Sequence, residues 1–364
     1  MQVIVVGAGV VGCAVAYELA ARGARVRVID PRGSGQGATR ASAGILAPYI
    51  EGHSSTLLQL AVCSLDQYDD FIARVSHDAG LDVEYRRNGT LQVAFDVDEV
   101  RQLEQQQALL TASGVPHSFM DGDAVRRLEP NLAEGVRAGL LVGQHGYVHA
   151  GSLMSALVEA ATRVGATLTS GHVRSVDRER GSVAVTTADQ TFATDAVVIA
   201  AGSWSGGIPV RLAPLPPVRP VRGQLLQLRP AQPTVSSVVW GTGCYLVPWA
   251  DGSILVGATV EDAGFDESVT AAGIEQLLHS GKRLVPSLRS AVLAEARAGL
   301  RPASVDELPI IGASTRVRGV YYATGHYRNG VLLAPLTATL IADLMVSGAE
   351  RPELELVRPD RFGL

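Results

Sequence analysis

The residues that most limit what this chain can fold into are its first thirty. "VIVVGAGVVGCAVAYELAARGARVRVID", residues 3–30, sets a β-branched run, a glycine turn, an apolar helical stretch and a second β-branched run in sequence. That order predicts a βαβ unit with strands at Val3–Val6 and Arg25–Asp30. Gly7, Gly9 and Gly12 form G-x-G-x-x-G between the first strand and the helix. The first glycine permits the tight turn, the second lets a pyrophosphate approach the backbone, and the third lets helix and strand pack closely. Asp30 ends the second strand, where a carboxylate accepts hydrogen bonds from a ribose diol. A dinucleotide is therefore expected here. Arg32 follows closely enough that this segment alone leaves NADP open.

Further runs of the buried parallel-strand kind occur at Asp195–Ala200 and Val320–Ala323, and Leu153–Val164 reads as a helix followed by a return strand in "VGATLTS". By contrast, "GTLQVAF" and "RGQLLQLRP" alternate apolar and polar residues, and "CYLVPWADGSILVGA" reads as a hairpin around Asp251-Gly252. Because the two strand types interleave, the expected fold is α/β: a Rossmann-like nucleotide-binding domain plus an antiparallel-sheet domain, discontinuous in sequence. The expected boundaries are 1–83, 146–206 and 300–364 for the first, and 84–145 and 207–299 for the second. The last apolar stretch, Val331 to Val346, reads as one buried helix punctured by Pro335 and Asp343, too short for a membrane span.

Composition narrows the partners. With 364 residues, 47% apolar and 18% charged, the chain can bury a substantial core. A net charge of −5 offers no footprint for nucleic acid or an anionic membrane. Cys13, Cys63 and Cys244 form no C-x-x-C, so neither a disulfide framework nor a metal site is expected, and a reducing cytoplasm fits. The N-terminus lacks a basic lead and a small-residue cleavage site. His145 and His149 are four apart, but Gly146 and Val148 argue against a helix there, so both read as structural. Lys282 is the only lysine, and this arginine habit lowers the information in any lone arginine.

Three more motifs suit a flat ligand, the first of them being equally readable as a plain small-residue loop. "GATRASAGILAP", residues 37–48, has the small side chains of a loop that lies flat against a ring system. "DAVVIAAGSWS" and "VYYATGHYRNG" are strands that each end in a glycine, placing backbone beside one flat ligand from two sides. "GSWSG" carries Trp204 at its centre and not a serine, which removes a hydrolase elbow.

These motifs, with "CYLVP", "AGLRPASVDELPIIG" and "ATGHYRNGVLLAP", resemble in content and order the FAD-dependent D-amino-acid oxidase superfamily, and within it the glycine oxidases of the thiamine-biosynthesis type. The resemblance implies non-covalent FAD, since no cysteine follows Cys244. It implies cofactor contacts from Gly7, Gly9, Val10, Val11, Gly12, Asp30, Pro31, Ala38, Thr39, Ala43, Gly44, Ile45, Val173 and Gly202. His326, Tyr327, Arg328, Asn329, Gly330, Val331 and Leu332 would continue them, with the helix start after "GHYRNG" facing the pyrimidine edge of the flavin. It makes Arg301 the clamp for a substrate carboxylate, with Tyr245 and Arg328 assisting. From the residues alone, Arg301 pairing with Asp306 or Glu307 on a surface turn stays open, as does a plain core role for Tyr245. The implied reaction is hydride transfer from the substrate Cα to the flavin, imine hydrolysis, and reoxidation by oxygen to hydrogen peroxide. Sarcosine, a D-amino acid or a larger N-substituted glycine are alternative substrates, because Gly243 leaves room beside the Cys-Tyr pair. A dehydrogenase with another electron acceptor and a flavin-holding structural subunit are the other readings. A homo-oligomer is compatible with the chain.

Overall fold

The computed structural model describes residues 1–50, 55–179 and 181–364. The opening βαβ unit forms as its pattern requires: strands Gln2–Val6 and Arg25–Asp30 pair in parallel around helix Val10–Ala21. They sit inside a six-stranded sheet whose order is Ile310–Ala313, Val320–Thr324, Ala196–Ile199, Gln2–Val6, Arg25–Asp30, Thr167–Ser170. Every pairing in it is parallel except that of Ile310–Ala313 with Val320–Thr324. The first strand shows why its apolar run is unbroken. Val3 and Val5 face helices Val10–Ala21, Ala150–Arg163 and Ala334–Ala342, while Ile4 and Val6 face the antiparallel strands Val173–Glu179 and Ser182–Thr187. A strand buried on both faces must be apolar at both parities.

The second sheet has eight strands, in the order Val292–Ser304, Val218–Arg229, Ile254–Gly257, Cys244–Pro248, Val238–Gly241, Thr90–Ala94, Ala138–Val142, Ser118–Asp121. Its pairings are antiparallel apart from Val238–Gly241 with Thr90–Ala94, whose long separation in sequence supplies the crossover connection that a parallel pair requires. The expected hairpin forms, with Trp249 N–H donating to the Ser253 carbonyl at 2.9 Å across its tip. Helix Ala271–Leu284 covers one face, setting Leu277 and Leu284 against Leu226, Leu246 and Val256. Thr270 caps its start by accepting from Gly273 N–H at 3.1 Å. The opposite face carries Leu225, Tyr245, Val247 and Leu255 against Ala43 and Ile45, and so looks toward the six-stranded sheet. The longest seam joins Val218–Arg229 to Val292–Ser304 from Val218↔Ser304 to Arg229↔Val292, with one register shift between Gln227 and Leu228.

Two local expectations change. The C-terminal helix begins at Ala334, not at Val331, and passes at Asp343 into a wider turn that runs to Ser347. Residues 330–333 are turns, closed by Leu333 N–H to the Asn329 carbonyl at 2.8 Å. Pro335 thus lies in the first helical turn, where its missing N–H has no intrahelical partner to lose, and it starts the helix instead of puncturing it. Among the described residues, no helix is long and apolar enough to cross a membrane.

Candidate active site

The glycine loop is built by exclusion. Gly7 donates its N–H to the Ile29 carbonyl at 2.9 Å and holds φ at +108°, with the Ala200 backbone standing where a Cβ would go. Gly12 lies directly against the Gly7 carbonyl, so any side chain would push the helix off the turn. Helix Val10–Ala21 receives no cap from its own Gly9; Thr39, from the next loop, supplies it by accepting from Val10 N–H at 3.1 Å. Asp30 accepts from Ala8 N–H (2.9 Å) through one oxygen and Arg32 N–H (2.8 Å) through the other. Each oxygen keeps lone-pair capacity for a further donor.

A cavity of about 1030 Å³ runs from this loop to the eight-stranded sheet. Its walls include Gly7, Gly9, Val10, Val11, Asp30, Pro31, Ala38, Thr39, Ala43, Gly44, Ile45, Val173 and Gly202, then Tyr245, Arg301, His326, Tyr327, Arg328, Gly330 and Val331. Three of the expected residues stand behind the wall. Gly12 packs on the loop; Asn329 is buried, its N–H donating to the His326 carbonyl at 2.9 Å. Leu332 is buried, and its carbonyl accepts from Ser64 Oγ at 2.7 Å. In the turn at 330–333, Gly330 and Val331 face the cavity while Leu332 and Leu333 are turned into the core.

Arg301 is held through one guanidinium nitrogen. Its strand pairs it with Val221, its guanidinium lies flat over Gly223, and Nη1 donates to the carbonyls of Thr259 (3.0 Å) and Arg222 (3.3 Å). A methyl at position 223 would overlap Nη1, Nη2 and Cζ. Among the described residues no carboxylate pairs with Arg301. Asp306, the alternative partner, accepts from Arg361 at 2.8 Å instead. Tyr245 repeats the device: its ring lies over Gly257, where a Cβ would come within 2.5 Å of the hydroxyl, and stands 5.1 Å from Trp240. Two glycines on the sheet floor thus make room for the two side chains that project into the cavity.

The "GHYRNG" segment is pinned across the same region. Tyr327 adopts a left-handed φ of 50°, strained for a non-glycine residue, and its N–H donates to the Pro302 carbonyl at 2.7 Å. The buried His326 ring is tied to Thr337 at 2.9 Å, and burial pushes its pKa down to about 3, so it is neutral at physiological pH. Arg328 lies with its guanidinium 5.6 Å from the Tyr327 ring. Ser203 Oγ donates to the Leu300 carbonyl at 2.9 Å, and Ser205 shares a 2.7 Å bond with Thr324, locking the "GSWSG" turn to the strands on either side. His145 and His149 do not meet at a ligand. His145 is buried and stacked on Tyr49, while His149 Nδ1 accepts from Ser152 N–H at the start of helix Ala150–Arg163. No group of three or more metal-ligating side chains occurs among the described residues.

The sequence reasoning missed cavity-wall residues in two groups. Arg32, Trp204, Phe265 and Glu267 gather at the nucleotide end, and Trp240 and Gln276 extend the wall beyond Tyr245. Arg32 and Trp204 lie within motifs already recognised, so proximity to Asp30 and Gly202 was an available signal. Phe265, Glu267, Trp240 and Gln276 carry no local pattern, since only the fold brings them to the cavity.

A family model described as DAO, FAD dependent oxidoreductase, matches residues 2–344. The chain is 34% identical over 348 residues to the glycine oxidase of Geobacillus kaustophilus, covering 94% of this chain and 92% of that protein. It is also 34% identical over 370 residues to the bifunctional protein ThiO/ThiG of a Synechocystis species, spanning 99% of this chain but 54% of that protein. The crystal structure of the Geobacillus kaustophilus glycine oxidase superposes with a TM-score of 0.91 at 33% identity over 96% of each chain. That of an iminodiacetate oxidase from a Chelativorans species gives 0.88 at 26% over 98% of each.

Proposed function

Since the chain belongs to the DAO family of FAD-dependent oxidoreductases, we propose that it oxidises glycine or a related small amine to the imine, which hydrolyses, with release of hydrogen peroxide. The observation that carries this reading is Arg301: a guanidinium at the cavity wall, oriented by two backbone carbonyls and lacking a carboxylate among the described residues. A partly buried cation so placed calls for an anionic ligand, and a planar fork suits a carboxylate bidentately.

The residues present fit FAD. The wall is lined with small residues, and at Gly202 and Gly207 no atom lies within 4 Å of where a Cβ would stand, leaving bare backbone for a flat ring. Val10 and Val11, at the helix start, would meet the pyrophosphate, where the first-turn N–H groups beyond the Thr39-capped Val10 and the helix dipole favour anions. Asp30 would take the ribose, Val173 the adenine, and His326, Tyr327, Arg328, Gly330 and Val331 the flavin. Bound flavin supplies the two-electron acceptor for the substrate hydride. Cys244 is the cysteine on the cavity wall, and burial pushes its thiol up to about 12, which disfavours a covalent link. Acid precipitation should therefore leave the flavin in solution.

Catalysis then rests on position. Arg301 and Tyr245 hold the carboxylate so that Cα can approach to about 3–3.5 Å, and the tied, neutral His326 is poorly suited to remove a proton. The same reading divides the chain into FAD-binding segments 1–83, 146–206 and 300–364 and substrate-binding segments 84–145 and 207–299. All six strands of the parallel sheet fall in the first set, and seven of the eight strands of the other sheet fall wholly in the second; Val292–Ser304 crosses between them. One feature favours a larger N-substituted glycine as a second reading. The cavity continues past Tyr245 to Trp240, Gly241, Gly243 and Gln276. Gly243 is also required by its backbone, at φ +87°, and a Cβ there would lie 3.1 Å from Ser280 Oγ.

The test is an anaerobic titration of the purified protein with glycine, sarcosine and D-amino acids, followed by flavin absorbance. Bleaching, recovered with peroxide on admitting air, supports the oxidase. Bleaching without recovery replaces oxygen by another acceptor, and no bleaching by any of them refutes the substrate class.

A further inference from the structure

The segment 258–270 leaves strand Ile254–Gly257 and reaches helix Ala271–Leu284 by way of the nucleotide end of the cavity. Its two ends are fastened to the buried residues Arg222 and Gln224. Gln224 N–H donates to Thr259 Oγ1 (2.8 Å), its side-chain amide donates to Glu261 (2.7 Å) and Thr270 Oγ1 (3.0 Å), and its Oε1 accepts from Thr270 N–H (2.8 Å). Arg222 pairs with both Glu261 and Asp266 at 2.6 Å. Held this way, the middle of the segment reaches the other sheet. Glu267 pairs with Arg32 Nη1 at 2.7 Å, and the Phe265 ring lies 5.8 Å from that of Trp204. Arg32 in turn stacks its guanidinium 4.0 Å from the Trp204 ring. Arg32 stands two residues beyond Asp30, and Trp204 two beyond Gly202, so this circuit joins the ends of two strands that carry expected cofactor contacts. All four residues line the cavity. Phe265 is 57% exposed, a large apolar side chain left at a cavity mouth where a bound ring would cover it.

We propose that residues 258–270 form a clasp over the bound dinucleotide, closed by Arg32–Glu267 and Trp204–Phe265, and that opening this clasp sets the rate at which the cofactor leaves. The proposal rests on the FAD reading above. The closing contacts are few and partly solvated, with the ion-pair side chains 35% and 33% exposed. They contribute little to global stability but act directly on a local opening. The bonds of Gln224 and Arg222 to Thr259, Glu261 and Thr270 keep the two ends in place when the tip releases, and the Arg222–Asp266 pair opens with the tip, so the motion is confined to about 262–268.

The experiment uses FAD-loaded holoprotein diluted into buffer, with release followed by the rise in flavin fluorescence. Glu267→Gln should speed release about two- to fivefold and weaken its salt dependence, the Arg222–Asp266 pair supplying what is left. Phe265→Ala should speed it about five- to tenfold. Glu159→Gln, which breaks a partly exposed pair with Arg163 on helix Ala150–Arg163 outside the cavity wall, serves as the control and should leave the rate unchanged. Release from Glu267→Gln and Phe265→Ala at the control rate would overturn the clasp while leaving FAD binding intact. A wild-type protein that neither carries nor takes up FAD would overturn the cofactor reading, and the clasp with it.

Discussion

Gly223→Ala tests the site through a residue that touches no substrate. A Cβ at this position would overlap three atoms of the Arg301 guanidinium, which must retreat by about 1 Å to restore an ordinary contact of about 3.5 Å. That retreat also strains the bonds to the Thr259 and Arg222 carbonyls, the two contacts that orient the fork. Hydrogen bonds to a charged group contribute about 1.5–3 kcal/mol each, and an ångström of misplacement at a reacting pair costs about a hundredfold. The expected outcome is a fall of about a hundredfold in kcat/KM for glycine or sarcosine, carried mostly by KM, with flavin content unchanged. Gly223 needs no positive φ and sits in a strand, where alanine is favoured over glycine by about 0.5–1 kcal/mol; this offsets part of the overpacking cost of about 1–3 kcal/mol, so the variant should stay folded and melt only a few degrees lower. Oxygen-electrode kinetics and a thermal melt measured together give the answer. Kinetics within about twofold of wild type would show that the guanidinium does not hold the carboxylate, or does not need the place seen here.

Arg301→Ala should raise KM by about two to three orders of magnitude while FAD stays bound, because an anionic ligand is left facing the site without its cation; titration of flavin absorbance with substrate reads it out. Gly7→Ala places a side chain at φ +108° against the Ala200 backbone, and should yield protein with little bound flavin and a lower melting temperature. His145 and His326 are both pushed down to about 3 by burial, whereas in the unfolded chain they titrate near the ordinary value of about 6.5. The unfolded state therefore binds more protons below that value, and each histidine withdraws about 1.4 kcal/mol of stability per pH unit as pH falls from about 6.5 to about 3. His145→Phe should flatten this acid limb in pH-dependent melts without loss at neutral pH, since neither ring nitrogen has a hydrogen-bond partner among the described residues.

The nucleotide half of the fold was legible because its signals are local. Turn, helix packing and strand end each require a particular residue at a fixed spacing, and Gly7, Gly12 and Asp30 occupy those places. The C-terminal helix start was misjudged because Val331, Leu332 and Leu333 continue an apolar run, and hydropathy does not distinguish a buried turn from a buried helix. What decides it is the left-handed Tyr327 and the turn bonds at 326–333. Arg301 could be singled out, but its seat could not. Gly223 lies 78 residues away and Thr259 42, and only sheet register brings them under it. The clasp was invisible for the same reason, as nothing near Glu267 in sequence points to Arg32.

The long seam between Val218–Arg229 and Val292–Ser304 also decides where this chain can tolerate a change of length. Side chains along a strand alternate between faces, so one residue inserted between Gly299 and Arg301 would send the guanidinium to the opposite side of the sheet and present a neighbour in its place. The seam already absorbs one register shift, between Gln227 and Leu228, just past the fourth residue beyond the pairing of Gly223 with Gly299. Lengthening at that end shifts only the last pairs. The ribbon thus works as a ruler with its zero at Arg301: insertions near the zero abolish the reading, and those at the Asp251-Gly252 hairpin or beyond Gln227 leave it unchanged.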